Sequence, residues 1–449
     1  MPYLGASPTV GLVTKLSNIA SSFNGVTTTF QLSIPPGGVT NYFTPGSTYA
    51  LFVRLGGVTQ NPDVDYTVSG SQITFTTAPA AGLTCFIIAI GQAINVGVPG
   101  DGSVTTSKLD ASGIAPVVTS LNGGPLAGAR NRIINGDMRI DQRNAGASVT
   151  PTTSNTYTLD RWVTYITQSS KFSVQRNAGS VTSPPGFSNY LGFTSLSAYS
   201  VGSTDFFDIA QNIEGLNVSD FAWGTASALN VACSFWVRSS LTGTFGGTIS
   251  STTRYFPFSY TINSANTWEY KTISIPGDTS GTWASDNSLG IQVRFSLGAG
   301  STYLGTPGVW TGTLRVGVTG QTSVVGTNGA TFYITGVQLE AGTVATPFER
   351  RSYGQELTLC QRYYQAAAGI NLWSGNCNLG APYYYPVIFR VQFRTSPYLI
   401  SLTNWTATGF SSTASTVGGS SGDGFYAYRT ATATGSGAFG DSWTATAEL

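Results

Sequence analysis

Apolar and polar positions alternate with period two in short segments along this chain, the signature of half-buried strands. Residues 49–54 and 72–77 are separated by Gly-Gly, Asn-Pro and Ser-Gly turns, and Cys85 to Ile90, CFIIAI, reads as a buried strand. Further along, 229–237, 270–275 and 291–297 recur with the roughly 8–12 residue spacing of a β-sandwich. Phe332, Tyr333, Ile334, Val337 and Leu339 place apolar groups on both sides of the alternation, as a strand covered on two faces requires. The period then changes. Ser352 and Gln355 have capping-box spacing, and Leu357, Cys360 and Tyr364 follow at helical intervals, which predicts one short helix. Beyond it, Val387, Phe389, Val391 and Phe393 alternate with Ile388, Arg390, Gln392 and Arg394, predicting a sheet with one face exposed.

These patterns define an all-β, multidomain chain. A small β domain at 1–97 precedes a linker at 98–130, a central sandwich at 131–352 and a second β-rich domain at 353–449 entered through the helix. The linker sequences VPGDGS, ASGIAP and LNGGPLAGA hold too few large apolar side chains for a core. Within it, 104–109 is either a plain tether or a stretch that packs against copies of itself. The 449 residues, 41% hydrophobic, suffice for about three domains. Glycine (55) and proline (20) together stay below the about 25–30% of low-complexity chains, so they read as turn residues.

Composition narrows the chemistry. Charged residues make up 9% of the chain, against about 25% in ordinary soluble domains, and the net charge is +1. No global field steers it to nucleic acid or an anionic membrane. The longest apolar run, 86–90, is far below the roughly 18 residues of a membrane span, and residues 1–25 lack the charged start and apolar centre of a signal peptide. The four cysteines, Cys85, Cys233, Cys360 and Cys377, have no C-x-x-C spacing and read as buried free thiols. With no histidine, imidazole-based catalysis and H-E-x-x-H metal sites are excluded. A carboxylate pair remains, Asp205 with Asp208 or Asp137 with Asp141, but turn capping and ion pairing explain such acids more simply. The sequence thus predicts no enzyme and no cofactor. Asp63 and Asp65 read as turn residues after Asn-Pro, and 418–424, GGSSGDG, as an exposed loop rather than a phosphate loop.

Several phrases resemble a jelly-roll module of bacteriophage tail fibres, cyanophage appendages especially. TGVQLE, ATPFE and CQRYY occur in that order between 335 and 364. NRIINGDMRIDQR (131–143) with YTLDRW (157–162) is similar to the opening of the module, and WEYKTISIPGDTSGTW (268–283) to its middle. LGGVTQNPDVDYTVSGSQITFTTAPAAG (55–82) is similar to a small virion-proximal β domain, GSVTTSKLD (102–110) to segments that join fibre domains, and WTATAEL (443–449) to a distal last strand. The resemblance implies a carbohydrate-binding-module-like jelly roll in a homotrimeric virion appendage. It would be made in the bacterial cytoplasm and attached by residues 1–97 to other tail, baseplate or capsid proteins. A tail fibre that binds a host-surface glycan is the leading expectation. A head fibre, adaptor or decoration protein without receptor contact is the alternative, and a glycan-cleaving tailspike a third. Catalytic residues do not come with the resemblance. It offers Asp137 and Glu340 as calcium ligands, although two acids without a D-x-D-x-D-G loop fall short of a calcium site.

Aromatic side chains carry the binding expectation, because the flat face of Tyr or Trp packs on the C–H face of a sugar ring. In the outward-placed domain these are Tyr383, Tyr384, Trp405, Tyr426 and Tyr428. Trp223, Trp283 and Trp310, in loop-like settings of the sandwich, form the alternative set, while Trp162 and Trp236 lie within apolar strand patterns and are expected in the core.

Overall fold

The structure is a computed structural model that describes residues 13–35, 41–90, 129–397 and 399–449. It divides into two compact units, Met1–Val117 and Val118–Leu449. Of the linker at 98–130, only Ala129 and Arg130 fall within the described residues. The described residues are all-β apart from short turns of 3-10 helix and a single α-helix, Tyr353–Gln361.

The first unit contains a four-stranded antiparallel sheet in the order Val13–Lys15, Cys85–Ile90, Leu51–Leu55, Val58–Thr59, and a three-stranded sheet in the order Thr29–Gln31, Gln72–Phe75, Tyr66–Ser69. Phe23, Phe30, Phe75 and Tyr66 fill the core, and the Tyr66 hydroxyl donates to the Leu51 carbonyl at 2.9 Å. The strand CFIIAI departs from expectation. Cys85, Ile87 and Ala89 are buried while Phe86 and Ile90 are exposed, because only one face of its sheet is covered. Asp63, at φ +60°, and Asp65, which accepts from the Asn61 N–H at 2.7 Å, build the anticipated turn.

The second unit opens with the jelly-roll sandwich. One sheet has the order Phe172–Arg176, Leu191–Ser195, Thr331–Ala341, Val231–Ser239, Glu269–Ile275; the other runs Tyr255–Ile262, Gly243–Ser250, Leu289–Ala299, Phe206–Glu214, Trp162–Ile166, Thr156–Leu159. All these pairings are antiparallel. Between the sheets lie residues such as Phe235, Phe245, Phe295, Phe332 and Ile334, all fully buried. Thr331–Ala341 is central in its sheet and covered on both faces, as its sequence predicts. Its outer face is roofed by the segment 343–349. Glu340 accepts from both the backbone N–H (2.7 Å) and the hydroxyl (2.6 Å) of Thr346, and the Gln338 side-chain oxygen accepts from the Glu349 N–H at 2.7 Å. TGVQLE is therefore the central strand and ATPFE the strap bonded across its outer face.

At the junction, the Ser352 hydroxyl accepts from the Gln355 N–H at 3.3 Å, realising the predicted cap. Asn135, at φ +57°, ties the opening phrase to the sandwich: its side-chain amide donates to the carbonyls of Ile140 and Asp160 at 2.8 and 3.0 Å, and its carbonyl accepts from the Trp162 indole at 3.0 Å. Cys360 and Tyr363 pack on Ile134 and Ile140. Glu214 of the sandwich receives both Arg362 (3.0 Å) and the Tyr363 hydroxyl. The C-terminal Glu448 bridges Arg143 (2.7 Å) and Arg161.

The last domain is a smaller sandwich of two three-stranded antiparallel sheets. One has the order Tyr364–Cys377, Gly435–Thr446, Leu399–Thr408, the other Pro382–Ile388, Gly424–Thr430, Thr416–Ser420. Val387, Phe389 and Phe393 are buried while Ile388, Arg390 and Gln392 face out, as the alternation predicts. Strand geometry ends at Ile388. All four cysteines are buried and free, and burial pushes the Cys85 thiol up to about 11 and Cys233 up to about 12.

Candidate functional site

The carboxylates are committed to the fold. Asp205 accepts from the Tyr199 hydroxyl (2.6 Å), Thr167 (3.0 Å) and the Gly202 N–H (3.0 Å), and these hydrogen bonds, that of Tyr199 first, hold its carboxyl below the usual value. Asp208 is buried and faces Arg294 at 3.0 Å; loss of solvent pushes it up to about 6 against the opposing arginine. Asp141 caps the turn at Asn144 and Gly146. The two calcium candidates also have protein partners. Asp137 accepts from Arg139 at 2.7 Å with one oxygen, although its other oxygen is buried without a partner, and both oxygens of Glu340 serve Thr346. Among the described residues no cluster of three metal-ligating acids or cysteines forms.

The sandwich tryptophans form one cluster. Trp223 meets Trp283 edge to face at 4.7 Å and Trp310 at 5.3 Å, and Trp283 meets Trp310 at 5.6 Å. Their indole N–H groups donate to the carbonyls of Leu229, Ser280 and Pro276. With donors and much ring surface spent on each other and on backbone, the trio staples three loops together. Trp236 departs from expectation: it is only half-buried, on the outer face of its sheet beside Tyr270 at 5.4 Å.

The five distal aromatics separate into three environments. Tyr383 points inward, 4.4 Å from Trp373 and 5.6 Å from Phe410. Trp405 is 51% exposed on the other sheet, laid across its strands; a Cβ on Gly369 or Gly440 would stand 3.2 or 3.0 Å from its ring. Tyr384, Tyr426 and Tyr428 come together. Register places Tyr384 opposite Tyr428 and Pro386 opposite Tyr426, with ring centroids of Tyr384 5.2 Å from Tyr428 and 6.3 Å from Tyr426. Tyr384 is 57% and Tyr426 46% exposed. The Tyr426 ring covers Gly418 and Gly419 of the neighbouring strand, where a Cβ would stand only 2.2 or 2.9 Å from it. The sheet's glycines thus set the ring flat on the strand.

Pro386 and Ile388, the latter 81% exposed, extend this face into a shallow depression of about 630 Å³ whose single charged lining residue is Asp423. These partners were not picked out from sequence. Their signal was present: the exposed phase of PYYYPVI carries Tyr384, Pro386 and Ile388, and GG at 418–419 marks room for a neighbouring ring. A face of tyrosine rings, proline and isoleucine, beside a depression lined by serine hydroxyls and no cation, suits the apolar side of a neutral sugar.

No family model matches this sequence, and comparison with curated proteins gives no match. Among solved structures, the chain is similar to the enzymatically active domain of tailspike protein 4 of bacteriophage CBA120, with 12% identity over 50% of this chain, 23% of that one and a TM-score of 0.25. It therefore spans under a quarter of the tailspike domain's length. It is also similar to the family 11 carbohydrate-binding module of Clostridium thermocellum, with 13% identity, 44% and 97% of the two chains covered and a TM-score of 0.22. The N-terminal cellulose-binding domain of Cellulomonas fimi β-1,4-glucanase C shares 11% identity over 41% of this chain and 90% of its own, at a TM-score of 0.21. None of them supplies a ligand or an activity to this chain.

Proposed function

We infer that this chain is a fibre-type subunit of a tailed-phage virion, attached through residues 1–97, and that it binds a neutral host-surface glycan on the Tyr384–Tyr426–Tyr428 face. The observation that carries the binding reading is the convergence of the exposed rings of Tyr384 and Tyr426 and the half-buried ring of Tyr428 with Pro386 and Ile388 on one sheet face. The fibre reading rests on the resemblance of 131–143, 268–283 and 335–364 to the phage module. Assembly as a homotrimer is supported by the strands at the margins of both distal sheets, Pro382–Ile388, Thr416–Ser420, Tyr364–Cys377 and Leu399–Thr408, each paired on one side only. Such edges are commonly covered by a second chain. Several copies then multiply a weak single-site contact. The role is binding without turnover, a reading supported by the protein hydrogen bonds and ion pairs that hold each of the candidate acids Asp137, Asp141, Asp205 and Asp208.

Screening the full chain against a panel of bacterial surface polysaccharides tests this directly. Binding of neutral glycans that Tyr384→Ala and Tyr426→Ala both weaken, with no release of oligosaccharide, is expected. Binding that survives both substitutions in folded protein would remove the face from the function. Light scattering should give three chain masses, and a monomer across a wide concentration range would sink the trimer.

A further inference from the structure

The strap that roofs Thr331–Ala341 leaves part of the sheet's outer face uncovered, and a groove of about 480 Å³ lies along its edge. Trp236 and Tyr270, opposite each other in register, form its floor; Tyr270 is 43% exposed. The wall is Phe187 packed edge to face on Phe348 at 5.2 Å. Phe187 is set there by Gly336, at φ +62°, where a Cβ would stand 2.6 Å from the ring. Arg350 completes the rim. Its guanidinium lies over both phenyl rings, at 4.7 and 5.6 Å, and donates to the Gly186 carbonyl. The adjacent acid, Glu349, is turned away to the Asn131 N–H (2.7 Å) and Arg351. No acid lines the groove, so among the described residues Arg350 is an oriented, uncompensated cation beside an aromatic floor.

We propose that this groove is a second glycan site, distinct from the tyrosine face, and that it takes a carboxylated pyranose, the repeating unit of an acidic polysaccharide. The C–H face of the ring packs on Tyr270 and Trp236, while the carboxylate accepts from the Arg350 fork, whose planar donors match its geometry. The Trp236 indole N–H, without a protein acceptor among the described residues, is free to donate to a ring hydroxyl. Charge complementarity selects the occupant: the depression beside the tyrosine face is lined by Asp423 and no cation, whereas this groove is lined by Arg350 and no acid.

Calorimetry at low salt on the full chain decides the assignment, with oligomers of galacturonate, mannuronate, guluronate and hyaluronate as probes and the methyl ester of each uronate as its neutral twin. Binding of at least one acidic oligomer is expected, with affinity about tenfold weaker for its ester and for Arg350→Gln, the loss of one charge-assisted contact. Tyr270→Ala should weaken it about fivefold, and Tyr384→Ala should leave it unchanged. The proposal is overturned by no binding to any acidic oligomer, by equal affinity for acid and ester, or by wild-type affinity in Arg350→Gln. Preference for a glycerol phosphate oligomer over every uronate would equally overturn it, moving the site to a phosphate ligand. Failure of the tyrosine face to bind neutral glycan leaves this result untouched, so the two readings stand or fall separately.

Discussion

The two sandwiches of the second unit solve the same packing problem at different sizes. The larger one fills its interior with phenylalanine, valine, isoleucine and leucine and keeps several of its buried ion pairs at the junction, where Glu448 meets Arg161 and Glu214 meets Arg362. The smaller one, with three strands a side, carries a charge pair at its centre. There Arg429 meets Asp441, the Tyr385 hydroxyl donates to the same carboxylate at 3.2 Å, and Ser415 and Asn404 accept from the guanidinium at 2.9 and 2.8 Å. Outside, glycines replace side chains and Trp405 and Tyr426 lie over them. A small two-sheet domain thus uses exposed aromatics as part of its covering. An exposed ring here is a structural element first, and only its outward side is available to a ligand.

The sharpest way to break this comparison is to remove one partner of the central pair. Asp441→Ala leaves the Arg429 cation buried without its counter-charge, which should cost about 3–5 kcal/mol. Proteolysis is expected to cut first within 364–449 while the sandwich at 131–352 stays resistant. A loss below about 1 kcal/mol in chemical denaturation, or cleavage distributed over both domains, would show that the pair is not what holds the smaller sandwich.

A second, smaller effect belongs to the larger sandwich. Burial pushes the carboxyls of both Asp160 and Asp208 from 3.8 up to about 6, so the folded state holds these protons more tightly than the unfolded chain. The stabilisation is fully present below about 3.8 and is lost as pH rises through about 6. Each group therefore adds up to about 3 kcal/mol between pH 7 and the acid side, opposite in sign to ordinary acid denaturation. The Tm should rise on acidification from pH 7 to 5, and Asp208→Asn, permanently neutral, should flatten part of that slope. A Tm that falls over this interval, with or without the substitution, contradicts the sign.

Strand periodicity made the all-β class, the long central strand and the capped helix legible, because those features depend on residues adjacent in sequence. The cap is a three-residue relation, Ser352 to Gln355, and the alternation from Val387 to Phe393 maps directly onto in and out. The sites were less legible because they are cross-strand objects. Tyr384 and Tyr428 are neighbours only through antiparallel register, and Trp405, equally aromatic and equally exposed, falls on the other sheet. Trp236 read as core because its strand neighbours Phe235 and Val237 are apolar, whereas it occupies the outward phase between them. Arg350 carried no sequence signal beyond its charge; two phenylalanines 161 residues apart in the chain, Phe187 and Phe348, are what orient it.

Trp405 sharpens the comparison further, since it was a binding candidate and is also the cover over Gly369 and Gly440. Trp405→Ala should lower stability by about 1–2 kcal/mol through lost apolar burial and leave neutral-glycan affinity at the tyrosine face within error. Calorimetry and denaturation on the same preparation separate the two roles. Loss of affinity with stability unchanged would return Trp405 to the site and deny it the covering role.

The smallest effect is expected where the ring is exposed and covers no glycine. Tyr384 packs on Tyr428 and Tyr426 at the surface, so Tyr384→Ala should change stability by no more than about 0.5 kcal/mol, as surface substitutions usually do. It should nevertheless weaken a single glycan contact by about 1 kcal/mol, roughly fivefold in affinity. Tyr426→Ala removes a similar stacking surface and also uncovers Gly418 and Gly419, so it should lose both affinity and stability. The pair therefore discriminates between covering and recognition at neighbouring positions. On immobilised polysaccharide the affinity loss should be magnified relative to that for a soluble oligosaccharide if copies act together. Equal losses in the two formats would mean that each chain binds alone, and a Tyr384→Ala variant as tight as wild type in both would leave the face with its structural role only.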